Sequence, residues 1–389
     1  MINRIYKISS KSFFLFGPRG VGKSTWIKSR GHYDLTLDLL RHATFLELQR
    51  DPSLLEAKTA HLSRGQTVFI DEIQKIPELL DEVHRLMEDK GLEFILTGSS
   101  ARKLKRTGAN LLAGRAHTYK MFALTLREVG STLTLEDLFR VGTLPVVVRD
   151  LDTAEETLSS YVETYLREEI KEEALVRRVD DFARFLAIAG HLNGTVINFE
   201  NVARDAGKSA NTIQSWFQIL EETLLGSFLP AYRPGFKVRE SAHPKFYWFD
   251  AAVARVAAGL EWKDLDAVWK GYALETMLLR EIRAYLEVSR KKMSVYYYGT
   301  PGAGEIDFII ETRPKTINRP QQFVSVEVKL AQKWKREFEG ASRALRAEKP
   351  ESHLKMIGVY LGADKLSFDG FEVLPLMDFV SDLYDGKIF

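Results

Sequence analysis

An α/β fold built on a parallel sheet is what this chain of 389 residues predicts, on three observations. The apolar run Phe13, Phe14, Leu15, Phe16 leads directly into Gly17, Pro18, Arg19, Gly20, Val21, Gly22, Lys23, Ser24 and Thr25, the succession of a buried strand, a glycine-rich turn and a helix. Two later apolar runs end in polar residues: Val68, Phe69 and Ile70 in Asp71 and Glu72, and Phe94, Ile95 and Leu96 in Thr97, Gly98 and Ser99. Strand-like and helix-like stretches alternate through the first ~130 residues, the pattern of a sheet covered on both faces.

The glycine turn carries the chemistry. Gly17, Gly20 and Gly22 let the backbone curl until its N–H groups face a polyphosphate, and Lys23 reaches the β- and γ-phosphates. Ser24 offers a hydroxyl to magnesium, and the helix opening near Thr25 turns the positive end of its dipole to the same anion. Asp71 is placed to hold the metal and Glu72 to polarise the attacking water, while Ser99 is the candidate sensor of the γ-phosphate. ATP and Mg2+ are therefore the expected ligands.

Around these motifs, Tyr33–Asp38 reads as a further strand, and Thr44 to Leu62 has helical periodicity. The basic segment Ala101 to Gly108 is either a solvated loop or a subunit contact. Leu112, Ala113, Gly114 and Arg115 run into a strand-like segment from His117 to Phe122. Arg115 either completes a neighbouring subunit's phosphate site or is a surface cation.

Composition bounds the rest. With 45% hydrophobic and 28% charged residues the chain is globular, and its length exceeds what one core accommodates, so two or three domains are expected. A net charge of +2 leaves any nucleic-acid contact to local patches. The absence of cysteine excludes disulfides, thiolate metal sites and cysteine nucleophiles. No apolar run approaches a membrane span, so a cytoplasmic protein with no membrane contact is expected.

The second half divides again. Glu155 to Arg178 reads as a charged helix with Leu158, Tyr161, Val162, Tyr165 and Leu166 on one stripe, a bridge between domains. Phe182–Leu192, Asn198–Ser209 and the helix from Ala210 to Leu220 follow, the last two joined through Gly207 and a serine cap at Ser209, which is a helix-turn-helix arrangement. Asn211, Thr212 and Gln214 lie on its outer side, residue types able to meet base edges or phosphates. Leu229–Pro234 and Lys245–Asp250 are the expected wing strands. Such a winged helix either contacts DNA or acts as a protein spacer.

In Gly304–Ile310 alternation places Glu305 and Asp307 on one face and Ile306, Phe308 and Ile310 on the other; in Phe323–Lys329, Val324, Val326 and Val328 oppose Glu327 and Lys329. A hairpin-like pairing gathers Asp307, Glu327 and Lys329. Glu275 lies on the apolar face of an upstream helix, where a carboxylate is costly unless paired or bound to a metal. Helix acid, strand aspartate and Glu-x-Lys form the layout of PD-(D/E)xK nucleases, either with a working metal site or as an idle fold.

These motifs in this order, with Phe69 to Pro77, Leu96 to Ser100, Leu112 to Arg115 and Tyr161 to Leu166, resemble the prokaryotic AAA-type ATPases whose C-terminal half is a conserved domain of unknown function. The resemblance runs from about residue 10 to about residue 375. Gly142, Thr143, Leu144, Pro145 and Val146 depart from it, since family members tend to show two glycines before an aromatic residue and proline there. It implies a ring-forming, hexamer-like ATPase core over residues 1–130, a helical lid and bridge over 131–178, a winged helix over 179–258 and a restriction-endonuclease-like α/β domain over 259–389. The expected function is ATP-driven translocation, branch migration or remodelling of duplex or branched DNA, with cleavage by the last domain. The rival expectation is an ATP-dependent signalling or defence switch whose nuclease-like part grips a protein partner. A metabolic kinase stands third, against the late carboxylates.

Overall fold

The computed structural model describes residues 2–9, 11–102, 104, 112, 114–166, 179–233, 243–260, 264–300 and 304–389. Its first module is a five-stranded sheet of β1 (Phe13–Phe16), β2 (Leu35–Asp38), β3 (Thr67–Asp71), β4 (Glu93–Gly98) and β5 (His117–Lys120), ordered β2-β3-β4-β1-β5 with every pair parallel. Alternation along β1 explains the burial of both faces. Phe13 and Leu15 join a core with Ile27 of the helix Lys23–Ser29, while Phe14 and Phe16 pack with Leu48, Leu55 and Val83 of three helices on the other side. The chain leaves β1 for the far edge and returns to β4 before crossing to β5. The strand order therefore reverses at β1, which opens a crevice at the carboxyl ends of the strands.

The helical periodicity of Thr44–Leu62 is carried by two helices, His42–Arg50 and Leu54–Lys58. Pro52 has no N–H to continue the ladder and forces Asp51 out of the helical region, to φ −147° and ψ 91°. The expected bridge helix also differs. Ala154–Ser160 is α-helical, but Tyr161–Leu166 winds as a π-helix, so the α-helical spacing ends at Ser160. Its remainder, 167–178, lies outside the described residues, as does most of the basic segment 101–108.

The second module stacks the helices Val179–His191, Phe199–Ala206 and Ala210–Glu222 beside an antiparallel pair, β6 (Gly226–Leu229) and β7 (Lys245–Trp248). Asn198 accepts the N–H groups of Glu200 and Asn201, Gly207 closes its helix at φ 65°, and Ser209 accepts from Thr212 N–H at 3.2 Å. The first hairpin strand lies earlier than Leu229–Pro234. Pro230 lacks the donor a ladder needs, and the segment after it pairs instead with the neighbouring sheet, Tyr232 N–H to Tyr297 C=O and Tyr297 N–H to Pro230 C=O.

The last module is a six-stranded sheet of β8 (Ser294–Thr300), β9 (Gly304–Arg313), β10 (Gln322–Val328), β11 (His353–Tyr360), β12 (Leu366–Phe368) and β13 (Phe371–Pro375), ordered β12-β13-β11-β10-β9-β8. β8, β9 and β10 form an antiparallel meander, and β11 joins β10 in parallel after the helix Gly340–Glu348. The long helix Ala267–Ser289 covers the face bearing Phe308, Ile310, Val324 and Val326. One residue of alternation is corrected: the register slips between Tyr296↔Ile309 and Tyr298↔Ile306. That bulge turns Ile306 to the opposite face, with Ile309 and Phe323, rather than with Phe308 and Ile310. Among the described residues no helix is long and apolar enough to cross a membrane.

Candidate functional site

The turn after β1 lies where the strand order reverses. Gly20 and Gly22 have φ of 80° and 91°, which a side chain would strain, and a Cβ on Gly17 would stand 2.3 Å from the carbonyl oxygen of Met121. The Lys23 ammonium, nearly buried, donates to the carbonyls of Gly17 at 2.7 Å and Pro18 at 3.1 Å. Gly22 supplies no side-chain cap to the helix Lys23–Ser29, so its first N–H groups remain directed at the crevice.

Two strands away, β3 ends in the acids. Ser24 Oγ donates to Asp71 Oδ1 at 2.8 Å, and Thr97 Oγ1 donates to the same oxygen. Burial pushes the Asp71 carboxyl above its ordinary range, against the two hydroxyls that favour the charged form. Glu72 sits in the left-handed region at φ 62°, which swings its carboxylate off the strand. There Gln74 Nε2 donates to Glu72 Oε2 at 2.5 Å and to Ser99 Oγ at 3.2 Å, linking the two side chains. The expected residues of this site thus converge. A cavity of about 830 Å³ opens above them, lined by Lys23, Ser24 and Glu72 and roofed by Pro145, Val146 and Tyr161.

Sequence reasoning missed three supports. Tyr161 OH donates to the Arg19 carbonyl at 3.0 Å, Arg4 donates to the Val21 carbonyl at 2.6 Å, and Gln74 makes the bridge just described. Gln74 was the legible one, two residues beyond Glu72 at the end of a buried strand. Arg115 is not brought to this site. It precedes β5 at the amino end of the sheet, opposite the phosphate turn, and pairs with Glu88.

The second cluster lies between the second and third modules. Val328 N–H donates to Asp307 Oδ2 at 2.7 Å, and Lys329 is ion-paired with Glu327, so the meander gathers Asp307, Glu327 and Lys329 as expected. Glu275 accepts from Tyr247 OH at 2.8 Å and stands 3.6 Å from the Lys245 ammonium, which also pairs with Glu305. Burial and then Asp307 push Glu275 up to about 7, opposed by Lys245 and Tyr247. The same two causes hold Glu327 well above the carboxylate range. For Lys245, burial favours the neutral form, but Glu275, Asp307 and Glu305 outweigh it and raise its pKa. Lys245 and Tyr247 were read only as wing-strand residues, although alternation along β7 sets them on one face. Among the described residues no group of three or more His, Asp or Glu side chains is arranged to hold a metal ion.

On the helix Ala210–Glu222, Asn211 and Gln214 are exposed, whereas Thr212 is half-buried and engaged with Ser209.

The fold and the phosphate turn define a P-loop domain, and residues 9–130 match the family model described as an AAA domain. Residues 132–264 and 270–379 match two domains of unknown function, DUF8612 and DUF4143. The chain therefore carries an AAA-type P-loop domain followed by two domains of unknown function. Uncharacterized proteins of Mycobacterium tuberculosis and Mycobacterium bovis are each 24% identical over 343 residues, covering 82% of this chain and 74% of theirs. A solved structure of the Aeropyrum pernix ORC1 protein in complex with DNA aligns over 65% of this chain and 87% of that one, at 11% identity and a TM-score of 0.29.

Proposed function

We propose that the chain is an ATP-hydrolysing AAA-type protein that moves or remodels duplex or branched DNA. On this reading it works as a ring-like homo-oligomer, and Mg2+-dependent cleavage resides in its third module. The observation that carries the ATPase part is the convergence of Lys23, Ser24, Asp71 and Glu72 at one crevice. Lys23 exchanges its loop carbonyls for phosphate oxygens. Ser24 and Asp71 would hold the magnesium ion, since two oxygens already 2.8 Å apart suit a hard cation; bound there, it would supply positive charge against the charge developing on the phosphates. Glu72 takes a proton from the attacking water, Ser99 reads the γ-phosphate, and Arg115 acts across a subunit interface.

The domain limits follow as proposals: a core over 1–130, a lid over 131–178, a winged helix over 179–258 and a PD-(D/E)xK-like domain over 259–389. Three helices followed by an antiparallel hairpin support the winged helix, with Asn211, Thr212 and Gln214 as its DNA-facing residues. A helix bearing Glu275, an antiparallel meander bearing Asp307, Glu327 and Lys329, and a parallel crossover support the nuclease-like fold. The test is phosphate release with linear, forked and four-way DNA. A motor is stimulated and loses that stimulation as salt rises, because phosphate contacts release counterions.

One observation favours the rival, a switch with an idle nuclease-like scaffold: the acid cluster is threaded by lysines. A switch shows no stimulation by any of the DNAs.

A further inference from the structure

The acid cluster of the third module contains a side chain that the third module does not own. Lys245 belongs to β7, yet its nearly buried ammonium is ion-paired with Glu305 of β9 and lies 3.6 Å from Glu275 of the long helix. Its neighbour on the same face of β7, Tyr247, donates to Glu275 Oε2, the same oxygen that Lys245 approaches. β7 is held firmly in its own module, paired residue for residue with β6 and with Phe246 N–H donating to Thr195 C=O.

Four carboxylates, Glu275, Glu305, Asp307 and Glu327, face two ammoniums, Lys245 and Lys329. A second observation points to a ligand. Glu327 Oε2 is buried without a hydrogen-bond partner, although Glu327 is only 4% exposed. An acceptor so placed is costly to leave unmatched, and a hard cation is what such an oxygen takes. Yet a cation held by Glu275 would lie beside a fixed ammonium, and repulsion between like charges at this range is large in a partly desolvated site.

We infer that Lys245 is the built-in cation of this cluster, standing where a divalent ion would otherwise be held, so that the carboxylates do not take Mg2+ or Mn2+ strongly while its ammonium is in place. The cluster is then a composite site whose metal affinity is set by a side chain of the second module. This rests on reading the third module as a metal-binding, nuclease-like fold.

Mn2+ titrated into the nucleotide-free full chain, with free Mn2+ read by electron paramagnetic resonance, tests it. Lys245→Met should bind Mn2+ at least about tenfold more tightly than wild type. The gain should vanish when Asp307→Asn is added, and Lys245→Arg should stay like wild type. Glu305→Gln, which loosens Lys245 from a half-exposed partner, should give a smaller gain in the same direction and serves if Lys245→Met does not fold. Equal Asp307-dependent binding in wild type and Lys245→Met overturns the inference and leaves the metal-binding reading standing. Absence of Asp307-dependent binding in every variant overturns both, while ATP turnover, measured alongside, reports separately on the first module.

Discussion

Gln74 shows how much of this site depends on single side chains. Its amide nitrogen donates to both Glu72 and Ser99, so it fixes the two side chains relative to each other. Gln74→Ala should lower ATP turnover by about 10- to 100-fold through misplacement of Glu72, with ATP affinity little changed; kcat and KM measured separately check it. Lys23→Ala removes the charge-assisted contact to phosphate and should weaken ATP binding by about 10- to 100-fold, read by titration with a fluorescent ATP analogue. Both residues are fixed by local chain geometry. Lys23 was legible because the turn requires it, and Gln74 was half legible: Glu72 is two residues away in its own segment, whereas Ser99, just past β4, cannot be read from that segment.

Elements are joined by buried acids. Glu281, midway along the helix Ala267–Ser289, accepts the N–H of Leu126 at 2.8 Å and so caps a helix of the first module. Burial pushes it up to about 7. Because the native state holds the proton more tightly than the unfolded chain, the associated stability is complete below the ordinary glutamate range and is lost as pH rises towards 7. The loss should be about 3 kcal/mol. Glu281→Gln keeps the acceptor and carries no titration, so the slope of unfolding free energy with pH between these limits should flatten; denaturant melts across that range measure it. The helix itself was legible from its apolar spacing. Its role as a cap was not, since Leu126 is distant in sequence and nothing local to Glu281 announces it.

Across the whole molecule, one hydrophobic core runs from Phe13 of the first sheet through Phe217 and Trp248 of the second module to Phe308 and Val324 of the third. Asp250 is the polar counterpart of that continuity. Fully buried, it accepts from Thr143 N–H at 2.8 Å and Oγ1 at 2.9 Å, caps the helix Ala251–Ala257, and lies 3.4 Å from Arg280. Asp250→Ala leaves the Arg280 charge buried without its partner and should cost about 3–5 kcal/mol. With a shared core, the loss should appear as a single transition shifted to lower temperature in calorimetry, and not as separate melting of one module. The three modules were visible in the order of the motifs. Their cohesion was not, because it depends on residues such as Asp250 and Lys245 whose partners lie in other modules. The sequence likewise announced the acids Glu275, Asp307 and Glu327 by their placement on predicted elements, while the lysine among them arrives from a strand read for a different purpose.

On the proposed function, Glu72 activates water for attack on a phosphate gripped by the turn after β1. Steady-state phosphate release by Glu72→Gln at saturating ATP and Mg2+ tests it most directly. The rate should fall at least about 100-fold below wild type while ATP still binds; turnover equal to wild type would contradict it.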